Sequence, residues 1–273
     1  MELLNTEMDT AENIKTLFEG VPTAKVLHVL VVVPRQGTLA STHVPQDGVF
    51  YPCSDQFFSQ FPTVNEVNDW LEFPSLLRLT RRQKLYIRSS YRAIAKQALT
   101  NSSTDVKFAV MTGTPGIGKS VFIYYVMWRL IKDQKRVLLF DSDGYIYYDG
   151  NMMFTYTSLP DKFNEQFWSP DLWCLVDSMD PTSSAELPYR RCSVLRASTP
   201  RLDYVDEFRK SAPAPDVFYM PLWTREKLAR IAPLYPDAKD VWEKRWTFLG
   251  GVPRLVLQDI KTDPQSLADV GVK

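Results

Sequence analysis

The chain is poor in the residues that cross-link or bind transition metals. Among its 273 residues the cysteines are Cys53, Cys174 and Cys192, and the histidines are His28 and His43. An odd number of thiols at no recognisable spacing excludes a disulfide framework and points to reduced thiols in a reducing compartment. A zinc site, which needs Cys and His clustered at defined spacing, is excluded on the same ground. No apolar run reaches the length of a membrane span, and no charged-then-apolar start of the secretory kind opens the sequence. Charge of either sign is not in excess: 32 Lys and Arg balance 32 Asp and Glu, so no global field draws in a polyanion. What is present is ample core material, 45% hydrophobic and 13% aromatic, enough for one large domain or a main domain with a small extension.

The most informative segment is 107–120, where an apolar strand runs into Gly113-Thr114-Pro115-Gly116-Ile117-Gly118-Lys119-Ser120 and then, from Val121, into an apolar helix. Gly113, Gly116 and Gly118 let the backbone turn tightly and approach phosphate with no Cβ between. The loop N–H groups then converge at the positive end of the following helix. At this spacing Lys119 reaches the β and γ phosphates and the Ser120 hydroxyl ligates Mg²⁺. The implied ligand is a nucleoside triphosphate. Gly113 to Val121 are the expected nucleotide-binding residues.

Further strands are expected at 25–34, 136–140, 172–177, 191–199 and 216–220. A hairpin is expected over 144–156, where Asp149-Gly150-Asn151 separates β-rich arms. Strands alternating with helical patterns predict an α/β fold with a central, mostly parallel sheet flanked by helices. Residues 36–51 are rich in Gly, Ser, Thr and Pro without periodicity and read as linker. Helix is expected over 73–99 and again over 224–249. The first of these carries Arg78, Arg81, Arg82, Lys84, Arg88, Arg92 and Lys96 with no acidic residue among them. Such a cluster is a solvated face, an anion-binding face or a partner surface for protein or nucleic acid.

A phosphate loop needs a carboxylate at the end of another buried strand to hold Mg²⁺ through water. Leu172–Asp177 has that form, and assigns Asp177 with Ser120 to the metal. Ser178 follows, where many ATPases of this broad class carry a catalytic glutamate. Asp180 is the nearby carboxylate able to polarise water. Ser198 and Thr199, after the next strand, are placed to sense the γ phosphate. Arg196, Arg201 and Arg254 are candidates for stabilising phosphate charge. Lys119, Asp177, Asp180 and Arg254 form the expected catalytic set.

The segment His28-Val-Leu-Val-Val-Val-Pro34 resembles the HVLVxxP motif that closes the N-terminal region of Crinkler effectors. Those are secreted, host-translocated proteins of oomycetes and some fungi. The remainder resembles the P-loop module of many Crinklers and of the trypanosome retrotransposon hot spot proteins. The resembling stretches are Ile87–Tyr91, Thr112–Ser120, Leu175–Pro181, Arg196–Arg201, Tyr219–Trp223 and Gly250–Arg254. The resemblance implies a P-loop NTPase using ATP and Mg²⁺, with secretion and action inside a host cell, often in its nucleus. It divides the chain into a remnant of the Crinkler N-terminal region (1–35), a linker (36–72) and an NTPase domain (73–273). The remnant is expected to be truncated, lacking an LFLAK-type segment, and no nuclease-like domain is expected after residue 254. The alternative is a non-hydrolysing paralogue that binds a host protein or nucleic acid.

Overall fold

A computed structural model describes residues 50–100, 106–141, 144–177, 187–198 and 215–258. The strand expected at 25–34 and residues Ser178, Asp180, Thr199 and Arg201 lie outside the described residues. All the described residues belong to one compact unit, Ser41–Lys273.

The centre is a sheet of β1 (Phe50–Pro52), β5 (Phe108–Thr112), β6 (Arg136–Asp141), β7 (Gly144–Tyr148), β8 (Met153–Tyr156), β9 (Leu172–Asp177), β10 (Ser193–Ala197) and β11 (Asp216–Tyr219). Its order is β1-β8-β7-β6-β9-β10-β5-β11. The pairs β6/β9, β9/β10, β10/β5 and β5/β11 are parallel. Antiparallel β7, β8 and β1 extend the β6 side. The architecture is therefore mixed α/β with a large, mostly parallel sheet. The expected hairpin forms as β7–β8, its turn held by the Asp149 carboxylate accepting the N–H groups of Asn151 and Met152.

The side chains of the parallel strands alternate between two cores with period two. Ala109, Met111, Leu139, Leu175 and Leu195 face one, with Phe108, Val110, Leu138, Cys174 and Val194 in the other. The first core receives the helix Lys119–Lys132. This helix is apolar nearly all round because it is covered twice, by the sheet and by an aromatic cap. Phe57, Phe58 and Phe61 gather round Tyr124 on its outer side, and the Trp128 indole N–H donates to the Val64 carbonyl. Residues 50–72, part of the span expected to be linker, thus pair with β8 and pack on that helix. Their buried phenylalanines, not their turn-rich start, decide their place.

In chain order the helices are α1 (Gln56–Ser59), α2 (Ser89–Ala98), α3 (Lys119–Lys132), α4 (Arg225–Ile231), α5 (Trp242–Leu249) and α6 (Pro253–Leu257). The helix expected over 73–99 is corrected to α2 alone. Before it, Arg81 has φ 55 in a turn, and Lys84–Tyr86 is β4 of an antiparallel sheet with β2 (Asn65–Val67) and β3 (Trp70–Glu72). The helix expected over 224–249 is likewise broken. Pro233 and Pro236 fall in 3-10 turns between α4 and α5, where proline's missing N–H is tolerated.

Candidate functional site

Parallel strands align their carboxyl ends on one edge, and ligands of open α/β sheets bind outside that edge. Met111 of β5, Ala197 of β10 and Asp177 of β9 occupy one level of the register there. The glycine loop leaves β5 at this level and enters α3 at Lys119. Asp177 thus ends the strand two positions from β5, on the same edge as the loop. Gly118 sits at φ 103, and a Cβ on it would meet the Tyr91 hydroxyl at 2.7 Å, so both backbone and neighbour require glycine.

Donors from four parts of the chain take the loop carbonyls. The Lys119 ammonium donates to Gly113 O at 2.7 Å and Thr114 O at 3.2 Å. The Tyr91 hydroxyl donates to Gly118 O at 2.8 Å, and the Trp223 indole N–H to Ile117 O at 3.0 Å. The Arg254 backbone N–H points at Gly116 O, 3.4 Å away. Behind these, the buried Arg88 guanidinium lies 4.5 Å over the Trp223 ring and donates to Pro221 O at 2.7 Å. Burial holds Arg88 below the usual arginine range. The Gly251 carbonyl accepts the Trp223 backbone N–H at 2.8 Å.

Lys119 is itself buried, and burial lowers its affinity for a proton. Asp177 opposes that shift and Arg254 adds to it, so both charges lie within electrostatic reach of the ammonium. The structure therefore brings Lys119, Asp177 and Arg254 together at the loop. Arg196 is elsewhere: it alternates with Leu195 and Ala197, so its buried side chain is on the sheet face away from α3. Ser198 is buried, with its backbone N–H donating to Met111 O at 2.8 Å. A cavity of about 350 Å³ opens beside the loop, and its lining includes Lys119, Ser120, Lys84, Leu79, Tyr86 and Tyr235.

The basic residues expected on one helix face are dispersed. Arg92 pairs with Glu66 and Asp69, Lys84 with Glu72, and Arg78 with Asp55. Arg82 covers the Tyr235 ring and Arg88 is buried. Among the described residues no three of His, Cys, Asp and Glu cluster as a metal site, and no helix is long and apolar enough to cross a membrane. Ser120 and Asp177 suit a Mg²⁺ that takes its remaining ligands from phosphate and water. The supports Tyr91, Trp223 and Gly251 stand in the resembling stretches, and Arg88 both there and in the basic cluster, but nothing in the sequence assigns them to the loop. Their hydrogen-bond partners lie up to 134 residues away.

The class these features define is an α/β protein with a glycine-rich loop at the carboxyl edge of a parallel sheet, beside a lysine and an aspartate. Comparison then narrows it. The chain is 66% identical over 248 residues to Crinkler effector protein 15 of Phytophthora infestans, and to the same extent to Crinkler effector protein 16 of that organism. These relatives support its place in the Crinkler family. The matches take in 90% of the chain but 40% of each relative, so the chain spans less than half the length of the curated relatives it matches. No family model matches.

Proposed function

We propose that the chain is the ATP- and Mg²⁺-binding P-loop NTPase module of a Crinkler-type effector, secreted and acting in a host cell. The observation that supports this best is the loop Gly113–Ser120 on the carboxyl edge of β5, with Lys119 within reach of Asp177. The loop amides and Lys119 bind the β and γ phosphates. Arg254, whose backbone and Cβ lie against Gly116, adds positive charge at the loop. Ser120 and Asp177 hold Mg²⁺, which when bound neutralises charge developing on the phosphate oxygens. Asp180 orients the attacking water, and turnover serves as a conformational switch. The division into N-terminal remnant (1–35), linker (36–72) and NTPase domain (73–273) belongs to the same proposal, with residues 50–72 of the linker span packed onto the NTPase core.

A second reading, a nucleotide-gated binding module without turnover, is favoured by one observation: Ser178 stands directly after Asp177 where a catalytic glutamate is usual. Pairing of Arg78, Lys84 and Arg92 with carboxylates disfavours a nucleic-acid face at 78–96. Mg²⁺-dependent ATP binding and turnover of the wild type, Lys119→Ala and Asp177→Ala test the proposal. Binding lost in Lys119→Ala, with turnover lost in both variants, is expected. Binding without wild-type turnover selects the second reading, and no wild-type binding refutes both.

A further inference from the structure

Two of the thiols come together in the fold although nothing in their spacing pairs them. Cys174 stands in the middle of β9, and Cys192 directly before β10, 18 positions further on. The Cys174 thiol donates to the Cys192 sulfur at 3.6 Å, and the Cys192 thiol is directed at the Pro188 carbonyl oxygen, 3.7 Å away. Both side chains are fully buried, in the core on the sheet face away from α3. Cys53 is remote from them. It follows β1, which β8, β7 and β6 separate from β9, about 19 Å at the ~4.8 Å spacing of neighbouring strands. A thiol is a weak donor and a weak acceptor, so little is lost when the two sulfurs exchange this contact for a covalent bond. A disulfide requires the sulfurs to approach to about 2.0 Å. Cys174 is held in ladders with β6 and β10 on its two sides. Cys192 lies outside the ladder, at the end of a turn closed by the Arg191 N–H on Pro188 O, and that turn supplies the movement.

We propose that Cys174 and Cys192 form a stabilising redox latch, open as two thiols in a reducing compartment and closed as a disulfide where a small-molecule disulfide such as oxidised glutathione is in excess. Closure is two exchanges in succession. One protein thiolate attacks the oxidant's S–S bond, giving a mixed disulfide and releasing one small thiol. The other thiolate then attacks the protein sulfur of that mixed disulfide and releases the second. The protein loses two protons and two electrons, and the oxidant, gaining both, becomes two thiols. Burial raises the Cys174 thiol above its ordinary range, and neither sulfur is reachable in the packed state. Exchange therefore proceeds through local opening of the turn before β10, and the same packing shields the closed bond from reductant. The bridge joins neighbouring strands on the face opposite α3, so it fastens β9 to β10 without displacing the glycine loop. The latch stands whether or not that loop binds phosphate.

In the test, wild type and Cys53→Ser, folded and reduced, are held with oxidised glutathione in urea below the unfolding midpoint. Remaining thiols are then alkylated under denaturing conditions and the peptides mapped by mass. Cys53→Ser is expected to lose both of its alkylatable thiols and two hydrogens of mass, with the peptides of Cys174 and Cys192 joined, and wild type to yield the same joined pair. Closure should quicken as urea rises towards the midpoint, because opening limits access. Closing an 18-residue loop should lift the thermal midpoint by about 6–12 °C. Dithiothreitol should reverse that rise, and Cys192→Ala should not show it. If Cys192→Ala does not fold, reversal by dithiothreitol decides alone. Two free thiols in Cys53→Ser after this treatment, glutathione left on either sulfur without a bridge, a bridge to Cys53 in wild type, or a bridge that leaves the midpoint unmoved overturns the inference.

Discussion

Alanine at Gly251 should damage the protein more than alanine at its neighbour Gly250, for a different reason. A Cβ on Gly251 would stand 2.0 Å from the Trp223 carbonyl oxygen, 2.8 Å from its nitrogen and 2.9 Å from its carbonyl carbon. All three are backbone atoms, so no side-chain rotation relieves the overlap. Overpacking costs about 1–3 kcal/mol, and contact with backbone belongs at the upper end. Separation of the two segments also breaks the bond from Trp223 N–H to Gly251 O, a further ~1 kcal/mol. The expected loss is therefore about 3–4 kcal/mol. Gly250 has nothing near its missing Cβ but sits at φ 69, ψ −161, a region open almost only to glycine. Alanine there costs about 1–3 kcal/mol of strain, and asparagine gives no rescue because this is not the left-handed helical region. Urea unfolding of the two variants against wild type measures the difference. Gly251→Ala should also weaken ATP binding, since α6 carries Arg254 onto Gly116, whereas Gly250→Ala should leave that affinity less affected. A Gly251→Ala loss below about 1 kcal/mol would refute the close-packing argument.

Three further outcomes are expected. Tyr91→Phe removes the donor to Gly118 O but leaves that carbonyl bonded to the Phe122 N–H, so unfolding should cost only about 1 kcal/mol while ATP affinity falls. Arg88→Ala empties a buried site between Pro221 O and the Trp223 ring and should cost about 3 kcal/mol or more by denaturant unfolding. Asp55 caps α1 by accepting the N–H groups of Phe57 and Phe58; burial acts to raise its pKa, but Arg78 and those N–H groups outweigh this and hold it below the usual carboxylate range. Its stabilising contribution is thus present above that range and lost as pH falls through it to the lowered value. The stability gap between wild type and Asp55→Asn, read from unfolding at stepped pH, should shrink on acidification; a gap constant down to pH about 2 contradicts the assignment.

The parts legible in sequence were those whose cause is local. β5, the loop and α3 are contiguous, and β9 ends on Asp177 as its apolar run dictates. The β7–β8 hairpin follows from Asp149-Gly150-Asn151, whose carboxylate and glycine build the turn without distant help. Residues 73–88 were not legible because basic residues at nearly helical spacing imitate a helix face. The pairing of Arg78 with Asp55 and of Lys84 with Glu72 depends on segments that only the tertiary fold brings alongside. The aromatic cap at 57–61 was hidden for the same reason: its partner Tyr124 is in a helix already apolar enough to be explained by the sheet. At the site, Lys119 and Asp177 were readable from motif spacing. Thr80, Tyr86 and Tyr235 were not, since the cavity that joins them is assembled only by tertiary packing.

The donors gathered on the glycine loop have a consequence for its polarity. A tight turn exposes carbonyl oxygens as readily as amides, and an unpartnered oxygen pointing outward repels an anion. Here the oxygens of Gly113, Thr114, Ile117 and Gly118 are each engaged by Lys119, Trp223 or Tyr91. The negative ends of the peptide dipoles are thus turned into the protein or neutralised, and the loop's electrostatic sign is set by residues scattered from position 91 to position 223. An eight-residue loop grafted with its helix onto another sheet would keep the Lys119 and Phe122 donors but lose those of Tyr91 and Trp223, leaving the Ile117 oxygen without its indole partner.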